Sequence, residues 1–387
     1  MFNYNYVTSQ QLAGFDKYKY NAVDTNPLSV YVMQHLWNRI VKVVPLWIAP
    51  NLLTFTGFLL ILINYFLLSF YDWNYTASGP GSQHVPDWVW TVSGLATFSA
   101  YALDSIDGKH ARRTMSSSPL GELFDHGLDS WATSLFSLSL FSVFGIVEGS
   151  GISSYTFYCA LCIVLLTFIL SHWEKYNTGV LFLPWGYDIS QVTLIVVYLL
   201  TAISGIEVWY KPFFFGYFFT DVLIAMVIGC SAFLSIPQTL YNIYLAHRRG
   251  TLLRNSLYEG LLPLLSPSLL FILLTIWVMT SPSDIVTHNP RIFCWMTGVA
   301  FSNVTCRLII CQMTDTRTEA FHWLLLPLAG ISGGVATGVL VQSEFLCLVA
   351  YSSLVTGAHV HYGVCVVKQL SKHLNIYIFS LDKRHQE

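Results

Sequence analysis

About ten separate stretches of this 387-residue chain are apolar over the length needed to cross a bilayer, and that feature decides the class of fold. At 1.5 Å per residue, a helix needs ~20 residues to span the ~30 Å hydrocarbon core. Apolar segments fall near 50–70, 88–112, 119–148, 153–172, 188–207, 217–245, 258–280, 291–312, 322–341 and 345–367. A bilayer offers no water to stray backbone groups, so such segments must be helical. The expected fold is therefore all-α, a polytopic integral membrane protein with about ten transmembrane helices. Composition agrees: charged residues make up 10% of the chain, against about 25% in a soluble domain. The third segment is too long for one simple crossing, so its first two turns are expected to project into a polar cavity.

The segment from Pro27 to Lys42 sets Leu28, Val32, Leu36 and Ile40 against Gln34, His35, Asn38 and Arg39 at helical spacing. That is the pattern of an amphipathic helix lying on the membrane surface. Three regions are expected: a cytosolic N-terminal segment over 1–45 carrying this helix, a transmembrane domain over 46–370, and a cytosolic tail over 371–387. The first forty residues lack the apolar core of a signal peptide. With ten crossings and a cytosolic N-terminus, seventeen of the 19 Lys and Arg, Lys383 and Arg384 among them, fall on or near the cytosolic side. Only Lys211 and Arg291 fall outside, so the even count is consistent with both termini in the cytosol. Pro and Gly cluster in loops, as at Gly79-Pro80-Gly81. Asn74-Tyr75-Thr76 is a glycosylation sequon in the first lumenal loop, with a chance match as an equal alternative. Cys159 and Cys162 form a C-x-x-C inside an apolar run with no second pair, so they read as small buried residues rather than a zinc or redox site. No basic tract suggests a nucleic-acid partner.

Charge is scarce, yet eight charged residues lie in the 26 positions 104–129. Four uncompensated carboxylates at membrane depth would cost roughly 10–14 kcal/mol, so this cluster needs compensating charge and a hydrated cavity. Asp104 and Asp107 are i, i+3 at the end of one helix, and Asp125 and Asp129 are i, i+4 on the next, so each pair shares a face. Ser116-Ser117-Ser118-Pro119 makes the connection, with Ser118 suited to the N-cap and Pro119 to the first helical position. A short antiparallel hairpin brings the two pairs together. Like charges 4 Å apart repel by about 4 kcal/mol at an effective dielectric of ~20. Divalent cations remove that repulsion, and all-oxygen ligands select Mg²⁺ or Mn²⁺. Two ions bridged by four aspartates suit displacement at a phosphoryl group. Gly108 and Ala111 lie one turn from Asp104 and Asp107, and Gly121 one turn before Asp125, leaving room for a flat group near the backbone. Lys109 and Arg112 offer positive charge to phosphate oxygens. A solvated loop is the plainer account of a charge run. Against it, the acids are interleaved with Leu103, Ile106, Leu123, Phe124 and Leu128 at helical spacing, as in helices lining a cavity.

The pattern Asp104-x2-Asp107-Gly108-x2-Ala111-Arg112-x8-Gly121-x3-Asp125-x3-Asp129 resembles the signature of the CDP-alcohol phosphatidyltransferase family at every fixed position. The ten-span plan, the amphipathic N-terminal helix and Pro50-Asn51-x2-Thr54 are similar to the eukaryotic choline/ethanolamine phosphotransferase branch, over most of the chain. The resemblance implies that a lipid hydroxyl attacks the β-phosphorus of a CDP-linked alcohol and CMP leaves. Asp104, Asp107, Asp125 and Asp129 would be the ligands of two Mg²⁺ or Mn²⁺ ions. Cytidine and its phosphates would lie near Gly108, Ala111 and Arg112. Asn51 and Thr54 would close the pocket, or else form only an ordinary helix start. Two general bases are implied. Asp129 is the candidate of the wider family, whereas the Glu-x3-His pair of the eukaryotic branch is here Glu122 and His126. These are i, i+4, so Glu122 could orient the imidazole. A neutral imidazole suits proton abstraction better than a carboxylate already holding a cation. His126 could instead only hydrogen-bond a ligand carboxylate.

The stretch from Ser171 through His172-Trp173-Glu174-Lys175 to Pro184, Trp185 and Asp188 looks like that of the ethanolamine-using members. A primary ammonium has three donors and wants carboxylates, whereas a quaternary one wants an aromatic cage. Glu174 or Asp188 is expected to meet the ammonium, with a solvated loop as the plainer account of each. The activity implied is transfer of phosphoethanolamine from CDP-ethanolamine to diacylglycerol or an alkyl-acylglycerol. CDP-choline is the alternative donor. A cation-coupled transporter is the remaining alternative, but it would carry its acids at the midplane of two repeated halves, not in one hairpin. The resemblance also implies an endoplasmic reticulum or Golgi membrane with the active site facing the cytosol. The later spans would admit membrane lipid laterally and could form a homodimer interface.

Overall fold

The computed structural model describes residues 4–79, 82–147, 151–183, 185–212, 215–254 and 256–382, and nearly all of its regular structure is helical. Pro80, Gly81, residue 148 of the third apolar segment, Pro184, Lys383 and Arg384 lie outside the described residues. The chain begins with α1 (Ser9–Phe15), β1 (Ala22–Val23) and a π turn over Ser29–Met33 that runs into α2 (Gln34–Val43). Then come α3 (Pro50–Tyr71), α4 (Asp87–Arg113), α5 (Pro119–Phe144) and α6 (Ser154–Thr178). β2 (Leu181–Phe182) pairs in parallel with β1. After α7 (Gly186–Ser204), α8 (Phe219–Gly229) continues through a second π turn into α9 (Ile236–Arg248). The remainder is α10 (Leu257–Thr280), α11 (Ile285–His288), α12 (Pro290–Thr314), α13 (Leu325–Ala336) and α14 (Glu344–His373).

A helix occupies each of the ten apolar segments, and local chemistry marks their ends. Ser118, Ser153 and Ser256 cap α5, α6 and α10 by accepting the backbone N–H of Gly121, Thr156 and Glu259, each at 3.1 Å. Pro50, Pro119 and Pro290 open α3, α5 and α12. Among the described residues, six helical runs are long and apolar enough to cross a membrane: α3, α6, α7, α8–α9, α10 and α12. The long α4 and α5 carry the acidic motif, and α14 is also long. α13 departs from the expected 322–341: its 12 residues reach only about 18 Å at 1.5 Å per residue, and Gly338, at φ +80°, turns the chain just past its end.

α12 is the axis of the molecule. It is buried along most of its length and packs against α5, α6 and α14, while α3 also packs on α5, α4 lies on α3 and α7 lies on α4. The contact of α12 with α5 depends on Gly298. A Cβ there would lie 2.5 Å from the Cβ of Ser134. Gly298→Ala is expected to cost about 1–3 kcal/mol by overpacking, read as a lower unfolding temperature of the solubilised protein.

At one end of the bundle, buried Arg291 ties three helices together. Its Nε donates to the Asp72 carbonyl at 2.8 Å, Nη1 to Ser69 at 3.1 Å and Nη2 to Ser142 at 2.5 Å, and its guanidinium lies 3.9 Å from the Tyr75 ring centre. This lock accounts for one of the two basic residues that the charge pattern left outside.

At the other end, α1 packs on α12, and Val7 exchanges hydrogen bonds of 3.0 and 2.6 Å with Gln369 of α14. The π turn and α2 dock on α4 through Met33, Trp37 and Val41, with Trp37 edge-on to Tyr101. Their second apolar edge, Val32 and Leu36, stays exposed.

Candidate active site

The hairpin of α4 and α5 brings the four aspartates to one place. The connecting turn includes Met115 at φ +54°, and Ser118 and Pro119 take the cap and first helical positions. Carboxylate oxygens of Asp104, Asp107 and Asp125 lie within 4.8 Å of one another, as do ligand atoms of Asp125, His126 and Asp129. Asp125 belongs to both groups.

The cluster is held from outside. Thr54 of α3 donates to Asp107 Oδ2, the Gly108 N–H donates to Asp107 Oδ1, and the Tyr187 hydroxyl of α7 donates to Asp104 Oδ2 at 2.6 Å. Oδ1 of Asp125 is buried without a partner among the described residues. Two carboxylates at 4.8 Å repel by about 3.5 kcal/mol at an effective dielectric of ~20. An all-oxygen set with an orphaned buried oxygen fits a hard divalent cation.

These groups line a cavity of about 1160 Å³, above the ~300–1,000 Å³ of a drug-sized site. It has two characters. Its polar side contains Asn51, Gly108, Arg112, Gly121 and the Ser116–Ser118 turn. Its apolar arm runs between α5, α6 and α8 along Phe136, Leu140, Val164, Phe168, Leu223 and Met226. Space at Gly108 is open, since a Cβ there would meet only Arg112 Nη1, at 3.8 Å. At Gly121 a Cβ would come 3.3 Å from Asn51 Oδ1. Asn51 in turn donates to the Ile378 carbonyl at 3.0 Å, so the C-terminal stretch Ile376–Asp382 forms one wall of the cavity. Ala111 lines it too, and Lys109 stands at its rim, donating to Asn38 of α2 at 2.9 Å.

Glu122 and His126 are neighbours, but not partners. Glu122 Oε1 is 3.8 Å from His126 Nε2, beyond hydrogen-bond reach, and 2.6 Å from Lys175 Nζ. It also accepts the Tyr18 hydroxyl at 2.5 Å. The expected orienting bond from Glu122 to the imidazole is thus replaced by a buried ion pair: a full opposite charge from α6 outcompetes a ring one turn away. Burial and the Glu122 charge push the Tyr18 hydroxyl above its ordinary range, so it remains a neutral donor. His126 Nδ1 is 3.9 Å from Asp129 Oδ2, and its Nε2 is buried with no hydrogen-bond partner among the described residues.

Glu174 does not meet this cavity. It is buried and accepts Asn242 Nδ2 of α9 at 2.7 Å. It precedes Lys175 by one residue, about 100° around the helix, so the two side chains meet different neighbours, Asn242 and Glu122. Asp188 does line the cavity. Lys175, Tyr18, Tyr187 and the C-terminal wall were not anticipated. For Lys175 the available signal was a lysine directly after an apolar helical segment.

The model of the CDP-alcohol phosphatidyltransferase family matches residues 47–234, which include the whole hairpin. Ethanolaminephosphotransferase 1 of Homo sapiens is 55% identical over 388 aligned residues, covering 100% of this chain and 97% of the human protein. The chain belongs to the CDP-alcohol phosphatidyltransferase family. Ethanolaminephosphotransferase 1 of Mus musculus is 53% identical over the same shares. Choline/ethanolaminephosphotransferase 2 of Arabidopsis thaliana is 30% identical over 98% of this chain and 99% of its own length. This member of the family thus resembles relatives named for ethanolamine alone more than the plant relative named for both head groups.

Proposed function

We infer that this chain transfers phosphoethanolamine from CDP-ethanolamine to the free hydroxyl of diacylglycerol or an alkyl-acylglycerol, giving the phospholipid and CMP. The observation that carries this is a single cavity whose polar side and apolar arm meet at the aspartate hairpin. A water-soluble nucleotide and a lipid can converge there on one phosphorus. The likeness to ethanolaminephosphotransferase 1 over the whole chain supports the choice of donor.

The acceptor hydroxyl approaches through the apolar arm. Its oxygen forms a bond to the β-phosphorus as the bond from that phosphorus to the CMP oxygen breaks, and CMP leaves with the electron pair. His126 is the base, since Nε2 has no competing hydrogen bond among the described residues and a positioned imidazole can take the hydroxyl proton. Asn51, Gly108, Ala111 and Gly121 shape the nucleotide side, and Arg112 and Lys109 face its phosphates. Asp104, Asp107, Asp125 and Asp129 would hold two divalent ions, Mg²⁺ or Mn²⁺, which supply charge neutralisation for the phosphates.

In the membrane, α4, α5, α13 and α14 would join the six apolar runs to make ten crossings, with α13 completed by the turns on either side. The charge pattern supports both termini and the cavity mouth facing the cytosol, where a soluble nucleotide substrate is found. Residues 46–370 would form the membrane domain, residues 1–45 and 371–387 would lie in the cytosol, and the exposed edge of α2 would rest on the membrane surface. Endoplasmic reticulum and Golgi membranes are the proposed sites.

Purified protein with Mg²⁺ or Mn²⁺ should release CMP only when CDP-ethanolamine and diacylglycerol are both present, and chelation should stop it. Absence of CMP release under those conditions overturns the assignment.

A further inference from the structure

Beside the aspartate cluster, the cavity contains a second set of acceptors that the phosphotransfer step does not use. Asp188 opens α7 next to Tyr187, whose hydroxyl holds Asp104. Its own oxygens each accept one bond, Oδ1 from Tyr101 and Oδ2 from Asn26 Nδ2 at 2.8 Å. Asp24 lies against the same segment, accepting the Asn26 N–H at 3.0 Å and the Ser29 hydroxyl. A carboxylate oxygen has two lone pairs, so both side chains keep acceptor capacity. Gln191 provides the independent sign of a ligand. It lies one turn after Asp188 on the same face of α7, is only 4% exposed, lines the cavity, and its Oε1 is buried without a hydrogen-bond partner among the described residues. An unpaired buried acceptor is costly unless something donates to it.

The position suits the head group of the donor. Tyr101, which holds Asp188, is three residues before Asp104 on α4, about 4.5 Å along the helix axis. That is the reach of a two-carbon arm attached to a phosphate at the aspartates.

We propose that Asp24, Asp188 and Gln191 form a binding site for a primary ammonium, and that this site selects the head group of the donor nucleotide. A primary ammonium brings three N–H donors to three acceptors. A quaternary ammonium brings none and leaves Gln191 Oε1 unpaired, so it is disfavoured by the cost of that buried group. This inference rests on the phosphotransferase assignment for its substrate, but its test needs no turnover.

Binding of CMP, CDP-ethanolamine and CDP-choline to the full chain in lipid nanodiscs with Mn²⁺ is measured by titration calorimetry. Wild type is expected to bind CDP-ethanolamine at least roughly tenfold more tightly than CDP-choline. Gln191→Leu, which removes the unpaired Oε1, should remove most of that preference while CMP affinity holds. Asp188→Asn should do the same, and Gln191→Leu covers the case in which Asp188→Asn loosens the N-terminal segment. An unchanged ratio of CDP-ethanolamine to CMP affinity in Gln191→Leu overturns the site. So does an equal fall for all three ligands, which would mark a structural role. Failure of wild type to release CMP would sink the transfer reaction instead, and leaves these ratios measurable.

Discussion

Asp125→Asn is expected to lower CMP release by about three orders of magnitude at saturating Mn²⁺. The reason is its position. Asp125 is the one residue shared by the two groups of ligand atoms, with Asp104 and Asp107 on one side and His126 and Asp129 on the other. Asparagine keeps the shape and deletes one negative charge, so neither group retains its full ligand set. The same change has an opposite effect on the metal-free protein. Each like-charge contact removed relieves about 3 kcal/mol of repulsion at an effective dielectric of ~20. The variant should therefore unfold at a higher temperature than wild type in chelator, and gain less from added Mn²⁺. Both arms are read by CMP assay and thermal unfolding. Asp315→Asn, at an exposed acid paired with Arg254 at 2.8 Å, serves as the control that leaves the rate alone. Near wild-type turnover by Asp125→Asn would remove the aspartates from the chemistry.

His126→Ala should reduce turnover by about 10²–10⁴-fold, the usual contribution of a positioned general base. His126→Gln should fall as far, because an amide can offer a hydrogen bond but cannot take a proton. Activity close to wild type in either variant would transfer the role to Asp129. Lys175→Met separates this from support of the site. It leaves Glu122 as an unpaired buried charge, so its effect should appear mainly as lost stability, and Glu122→Gln in the same chain should restore part of it. A catalytic Glu122 would instead make the double variant slower than the single one.

Much of this was legible from residue order because it depends on local rules. Ten apolar runs fix where helices form, Ser118 and Pro119 fix the turn, and the i, i+3 and i, i+4 spacings fix which carboxylates share a face. What was not legible depends on which distant helix arrives beside a residue. Glu122 and His126 satisfy the helical spacing, but Lys175 lies 53 positions further on and takes the carboxylate. Glu174 and Lys175 are adjacent in sequence and face different neighbours. The shortness of α13 follows from glycine near its end, which a hydropathy window averages away. Ile376–Asp382 falls in the stretch read as a cytosolic tail, and only its packing reveals a wall: Phe379 lies against Phe55 and Phe124.

That wall has a consequence in time. Tyr18 and Tyr20 enter the cavity from one end of the chain and Ile378 from the other, while Val7 and Gln369, 362 positions apart, bond to each other beside it. The four aspartates are synthesised in the first third of the sequence, long before Ile376–Asp382 exists to complete the enclosure. A nascent chain would therefore carry the chemical groups in an open and unfinished vessel, and turnover would begin only after the ribosome has delivered the stretch that follows α14.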